Sequence, residues 1–413
     1  MRIHRLVAVL LILVVVASCA PSHPTPTPVS AAVPILSSSP TATPTLAPAA
    51  TVAAGTPLAP GSSIRRVPQP GDATLLADLL EYIPAGLVDL HLSGHVGYPM
   101  HYIDVARIRQ DLGIGSLTGA DDRKAKLDLI AGLKIQGLEL APFELDPTAA
   151  TAYEEWGWDI ADVAQCLYLP TDKAVIVAGE FDADTVVDRL VQKGYSGTAD
   201  SGSTIYAAAD EEWYFVVDDD CLLISADLTT LQVFISQKLD PASSLAIHPS
   251  MLALLQEAQP MWGALLTTSS DLSGLRQYLT ESNFWAALPA RERAALHEFL
   301  DPSDDDTCLY RWDLALLTFR NAQEEPNQRY LYHYISEEQA NEEAASLPDQ
   351  LARVHSVANT ASTWAEILVP YSSEAQGEVL VFEATTAHET MLGLGTMEWM
   401  DVGFLPIHCD TEQ

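Results

Sequence analysis

Basic residues are scarce in this chain: 21 Lys and Arg stand against 56 Asp and Glu among 413 residues, a net charge of −35. The lysines are Lys124, Lys126, Lys134, Lys173, Lys193 and Lys238. Arg2, Arg5, Arg65 and Arg66 precede Asp72 and no acid does, so residues 72–413 carry 17 bases against 56 acids, or −39. A field of that sign opposes nucleic acid and anionic headgroups, and it favours solubility and cationic partners. Nucleic acid is therefore not an expected partner.

Reaction motifs are also missing. The chain has no GxSxG, no GxxxxGK[ST] and no CxxC pair. "HET" at His388 begins like a zincin helix, but Leu392 stands where the second His is needed. "GIGSLTG" from Gly113 is one residue off a dinucleotide fingerprint and follows a helical pattern instead of a strand. No cofactor is implied, and no nucleophile or base can be named.

What is present begins at the N-terminus. Arg2, His4 and Arg5 precede a continuous apolar run over residues 6–16, then Ala17, Ser18 and Cys19. The run is far short of the ~20 residues that span a bilayer. A basic head, a short apolar core and small residues describe a secretory signal. Val16-Ala17-Ser18-Cys19 resembles a bacterial lipobox. The resemblance implies that residues 1–18 are removed and that Cys19 becomes a lipidated first residue carrying diacylglycerol and a further acyl chain such as palmitate. Each buried CH₂ contributes about 0.8 kcal/mol, so two or more chains hold where one is marginal. Ordinary cleavage after Ala20 is the competing option. The implied address is the bacterial cell membrane, facing outside the cytoplasm, with the membrane as partner through the acyl chains.

Residues 19–71 follow as a Pro-, Thr-, Ser- and Ala-rich segment with no acid and no aromatic residue. Such a segment cannot bury enough apolar surface to offset its ordering entropy, so it reads as a tether. Residues 72–300 read as an acidic α+β unit and residues 301–413 as a second α+β unit packed on it.

The periodicities give the elements. Leu75, Leu76, Leu79, Leu80 and Ile83 recur at helical spacing before Pro84, and "GLVDLHL" alternates as a half-buried strand. "YIDVARIRQDLG" predicts a helix with Asp104 as N-cap, and a further helix fits residues 122–134. "VAQCLYL" and "AVIVAGEF" predict a hairpin across Pro170-Thr171-Asp172. An Asp182-capped helix, the strands "STIYAAA", "EWYFVV" and "CLLISA", and an Asp227-capped helix come next. Residues 249–300 read as helical around the strand "WGALLTT". "LYRWDLALLTF", "RYLYHYIS", a helix opened by Ser336 to Gln339, "WAEILVPY" and "GEVLVFEATT" complete the chain. The fold class is α+β: mostly antiparallel sheets with helices on one face. "AVIVAGEFDADTVVDRL" and "YLYHYISEEQANEEA" share a strand and acid-headed helix form, which suggests two related sheet-and-helix units.

The stretches "IDVARIRQDLGI", "GWDIADV", "AVIVAGEFDADTVVDRLVQKGY", "GSTIYAA", "LLISAD" and "SLAIHPSMLALL" resemble uncharacterised bacterial lipoproteins with a domain of unknown function. The resemblance implies an exported α+β domain and brings no site residues.

Candidate sites are few. Cys166, Cys221, Cys308 and Cys409 are an even set in an exported chain, compatible with two disulfides; sequence proximity favours Cys166 with Cys221 and Cys308 with Cys409, and four buried thiols are the alternative. His91, His95 and His101 lie close together with Asp89 and Asp104 nearby, a metal-like composition on loop-like spacing. The acid runs Asp218 to Asp220 and Asp304 to Asp306 lack the glycine and distal Glu of an EF-hand loop. The tryptophans sit mostly in apolar runs and read as core. The expected role is a non-enzymatic one, binding a protein or small solute or supporting the envelope. The alternatives are an extracellular carboxylate-dependent hydrolase and a divalent-cation binder.

Overall fold

In the computed structural model, residues 69–86, 100–115, 117, 123–136, 140–142, 145–170, 172–209, 212–268, 312–321, 324–353 and 363–386 are described. Residues 1–68, with Cys19 and most of the tether, lie outside them, as do His91, His95, Cys308, Cys409, Trp285 and Trp399.

The first half of the described chain starts with helix α1 (Ala73–Leu80) and strand β1 (Met100–Asp104). Helices α2 (Val105–Asp111), α3 (Arg123–Gln136) and α4 (Ala152–Trp156) follow, then strands β2 (Val163–Leu169) and β3 (Ala174–Gly179). Helix α5 (Ala183–Gln192) leads to β4 (Ser196–Asp200), β5 (Ser203–Ala207), β6 (Tyr214–Val217), β7 (Cys221–Ser225) and helix α6 (Leu228–Leu239). The second half runs through α7 (Pro249–Glu257), β8 (Gly263–Thr268), β9 (Trp312–Phe319), β10 (Gln328–Tyr334), α8 (Glu337–Arg353), α9 (Trp364–Ile367), β11 (Leu368–Gln376) and β12 (Val379–Thr386).

All these strands join one 12-stranded sheet, ordered β11-β12-β10-β9-β8-β1-β2-β3-β7-β6-β5-β4. Every pairing is antiparallel. The α+β class is the expected one. The sheet is not divided between the two expected units, because β8, within residues 72–300, pairs with β9, within residues 301–413.

Helices cover both faces rather than one. Val175 and Val177 of β3 pack on one face beneath Val186 and Leu190 of α5, in a core that also takes Leu347 and Leu351 of α8. Ala174 and Ile176 point the other way, into a core with Leu76 and Leu80 of α1, Phe234 of α6 and Met251 of α7. Strands buried on both sides lose the apolar/polar alternation, which is why "AVIVAG" and "CLLIS" are apolar throughout.

The sheet order contains the same pattern twice. β1-β2-β3-β7-β6 in the first half corresponds to β8-β9-β10-β12-β11 in the second, and the two sets meet at the antiparallel β1–β8 seam. α1 and α7 precede the first strand of each set and share one face; α5 and α8 follow the third strand and share the other. The irregularities repeat as well. β2 has a one-residue bulge at Ala164, between Val163 and Gln165. β9 has its bulge at Asp313, because Leu314 pairs with His333 and Trp312 with Tyr334. Just past each bulge the third strand makes the same backbone bond: Gly179 N–H to the Asp220 carbonyl at 3.0 Å, and Tyr334 N–H to the Glu378 carbonyl at 2.8 Å. The β4–β5 hairpin has no counterpart among the described residues of the second repeat.

Local chemistry fixes the ends of elements. Asp104, Asp182 and Asp227 accept N–H bonds from the first turns of α2, α5 and α6. Pro348 lies inside α8 and has no N–H to give the Ala344 carbonyl; Ser373 Oγ donates to that oxygen instead, at 2.7 Å.

Candidate functional site

The second repeat concentrates polar chemistry at its bulge. A bulge re-aims the extra side chain out of the strand's alternation. Asp313 there reaches two elements at once: Ser250 Oγ, in the first turn of α7, donates to Asp313 Oδ2 at 2.6 Å, and His333 Nδ1 of β10 lies 2.8 Å from Asp313 Oδ1. The other ring nitrogen, His333 Nε2, is 3.5 Å from Glu378 Oε2 in the β11–β12 turn. Ser250 and His333 are buried. Burial alone would raise the Asp313 carboxyl, but hydrogen bonds from His333 and Ser250, the charge of His333 and the Leu314 N–H more than offset it, leaving the group below its ordinary value.

This arrangement is not a nucleophilic triad. The hydroxyl bonds the carboxylate, not the imidazole, so no base is aimed at Ser250 Oγ. Further down the same face of β10, Arg329 bonds Glu383 Oε1 at 3.0 Å and faces Glu257 Oε2 at 3.7 Å. One buried guanidinium thus bonds one acid and faces the other.

Asp313 has a clear pH consequence. Its folded value lies below its unfolded one, so its contribution is present above the ordinary carboxylate range and is lost as pH falls through the depressed folded value, below about pH 4. Urea unfolding of wild type and Asp313→Asn should show a stability gap at neutral pH that closes below that range. A gap that stays constant to pH 2 would mean that Asp313 is not held ionised by its neighbours.

A second polar centre lies at the β1–β8 seam. Asp104 is fully buried at the end of β1. Its carboxylate accepts the Gly71 N–H at 2.6 Å and the Arg107 N–H at 2.7 Å. The Gly71 carbonyl in turn accepts the Met261 N–H at 3.1 Å. Gly71 has φ +89°, and a Cβ there would sit 3.1 Å from Arg107 Cδ. The chain therefore enters the fold beside the middle of the sheet, and residue 71, assigned to the tether by composition, is already part of the folded structure.

Of the other sequence candidates, His101 is buried in β1 with its ring edge-on to Tyr168, centroids 5.8 Å apart. Among the described residues, no group of three His, Cys, Asp or Glu side chains is placed to hold a metal ion. Cys166 and Cys221 are free and buried, so the pairing favoured by proximity is corrected. They lie on β2 and β7 with β3 between, and they pack into opposite faces. Two strand spacings are about 9.6 Å, beyond the Cα separation a disulfide spans. Cys166 Sγ donates to the Leu140 carbonyl at 2.7 Å, and Cys221 Sγ accepts from Tyr82 OH at 3.5 Å. Burial pushes the Cys221 thiol up to about 11 and the Cys166 thiol higher still. Asp218 to Asp220 form the β6–β7 turn. Trp156, Trp158, Trp213, Trp262, Trp312 and Trp364 are all buried, as the apolar context predicts.

Asp313, His333, Ser250 and Glu378 were not singled out by the sequence. The available signal was a His and an Asp inside otherwise apolar or aromatic strands, "RYLYHYIS" and "RWDLALLTF". That signal says a polar group is buried; it does not say which partner meets it.

No family model matches the chain, and no curated protein matches it. Among solved structures, TP0453 in crystal form I is similar with a TM-score of 0.35 and 11% identity, over 75% of this chain and 96% of that one. Crystal form IV of TP0453 gives a TM-score of 0.31 and 11% identity, over 75% and 98%. Likeness of this extent fixes neither topology nor activity. Among the described residues no helix is long and apolar enough to cross a membrane.

Proposed function

We propose that the chain is a lipid-anchored protein of the bacterial envelope, exposed outside the cytoplasm, whose acidic α+β domain binds a partner or supports the envelope without catalysing a reaction. The observation that carries this reading is Cys19, placed directly after a short apolar run and before an acid-free Pro/Thr/Ser/Ala segment. That segment suits a stalk: about 50 residues of flexible coil reach on the order of 40 Å. Its far end meets the clasp of Asp104 on Gly71, which is where tension from an anchor would enter the sheet. The binding role is supported by the way these acids are used. Buried Asp104 and partly buried Asp313 and Glu383 all serve protein N–H, hydroxyl or guanidinium groups.

Metabolic labelling with an alkynyl palmitate analogue, followed by membrane fractionation, tests the anchor. Wild type should be labelled, should sediment with membranes and should begin at Cys19; Cys19→Ser should lose the label entirely. An unlabelled wild type that begins at Met1 would refute the anchor. Turnover by the purified wild-type domain in a hydrolase panel would instead remove the non-enzymatic half.

A further inference from the structure

The two repeats provide an internal comparison. In the first, the bulge residue is Ala164, and the third-strand residue just before the register shift is Ala178, facing Cys221. In the second, those places hold Asp313 and His333, the latter facing Val379. The architecture is thus built once with alanine at both positions, and it does not require the charged pair. Desolvating an imidazole is costly unless it is bonded, yet the second repeat buries His333 against a partly exposed Asp313 and links the pair to two further elements.

We propose that His333 is a proton-operated latch on the β11–β12 hairpin, closed when the ring carries both of its protons. A carboxylate only accepts, so the contact at 2.8 Å commits the Nδ1 hydrogen to Asp313. Nε2 then faces Glu378 at 3.5 Å. Uptake of one proton from solvent gives Nε2 an N–H for Glu378, and the imidazolium holds β9, α7 and the hairpin turn together. Loss of that proton leaves a nitrogen lone pair facing a carboxylate, and the turn is released. Imidazole is the side chain that changes charge between pH 5 and 8.

The charged groups around the ring support this assignment. Asp313 comes from β9 and Glu378 from the β11–β12 turn. α7 contributes the Ser250 hydroxyl and has His248 as its N-cap. Glu374 of β11 is engaged by Gln376. On β10 itself the next charge on this face is Arg329, already held by Glu383 and Glu257. The latch is closed while the ring carries both protons and open once one is lost; in strong acid it is limited by protonation of Asp313, whose carboxyl is held below its ordinary value.

Amide exchange in the intact chain reads the latch directly, because the Tyr334 N–H bonds the Glu378 carbonyl and the Gly179 N–H is its counterpart in the unlatched repeat. After correction for intrinsic exchange, Tyr334 protection should fall about tenfold between pH 5 and pH 8, while Gly179 protection stays level. His333→Gln should flatten the Tyr334 profile. So should Glu378→Gln, a change on a half-exposed turn side chain that leaves the Asp313–His333 contact intact. Parallel profiles at Tyr334 and Gly179 in wild type, or a tenfold fall that survives in Glu378→Gln, would overturn the latch.

Discussion

Asp104→Ala is expected to lower stability by about 3–5 kcal/mol, from the loss of the N-cap bond to the Arg107 N–H and of the acceptor for the buried Gly71 N–H. The carboxylate holds Gly71 N–H at 2.6 Å and Arg107 N–H at 2.7 Å, with Tyr102 OH at 3.5 Å. Alanine leaves the Gly71 donor without an acceptor at a fully buried position and uncaps α2. The urea midpoint should fall with an unchanged slope. Asp104→Asn keeps one acceptor oxygen and should cost less. Burial raises the Asp104 carboxyl, and the N–H bonds from Arg107 and Gly71 only partly oppose this. A raised folded value means the native state gives up stability as pH rises from the ordinary carboxylate range through that value. The Asn variant has no such term, so the advantage of wild type over Asn should narrow as pH rises. An Ala variant within 1 kcal/mol of wild type would show that the Gly71 clasp does not hold the seam.

The sequence made this centre half legible. The Asp104 cap on α2 follows from "DVARIRQDLG", and the structure has it. No element is expected from sequence in the stretch before the cap, and Met100–Asp104 is strand β1. "MHYID" is too short to show a period, and only pairing with β2 and β8 makes it a strand. A similar limit applies to "WAEILVPY": Trp364–Ile367 is one helical turn, with the Glu366 carboxylate accepting the Thr363 N–H at 2.9 Å, before β11 begins. "SGTAD" has no apolar pattern and is exposed, so β4 is specified by the Ser201-Gly202 turn that pairs it with β5.

The shared form of "AVIVAGEFDADTVVDRL" and "YLYHYISEEQANEEA" corresponds to β3–α5 and β10–α8, the matched places in the two repeats. What sequence could not supply was the fusion of the halves. Continuity through β1–β8 depends on the register Tyr102 to Ala264 and His101 to Leu265, a non-local pairing of strands with no distinguishing residue. The Asp313–His333 contact was hidden for the same reason. Twenty residues separate the two, and the bulge that turns Asp313 toward the ring is visible only in the paired strands.

That bulge geometry also sets the largest steric effect expected in the first repeat. Gly179→Ala should cost about 3 kcal/mol or more, at the upper end of what overpacking a well-filled site does. A Cβ at Gly179 would lie 2.0 Å from the Asp162 carbonyl oxygen and 2.9 Å from Phe181 Cζ. The oxygen is not free to retreat, because it accepts the Glu180 N–H at 3.0 Å, while Gly179 N–H is itself committed to Asp220. Either the bulge at Ala164 opens or β3 moves off β7, and both break ladder bonds. Gly197→Ala on exposed β4 is the control. Its Cβ would meet Thr204 Cγ2 at 2.8 Å, but that is a side-chain atom that can rotate aside. The control should change stability by less than about 1 kcal/mol, with reduced freedom of the unfolded chain favouring Ala. Thermal unfolding of the two variants side by side separates a backbone clash from a general cost of replacing strand glycines. Equal losses in both would show that the closed approach of Asp162 to β3 is not a constraint of the fold.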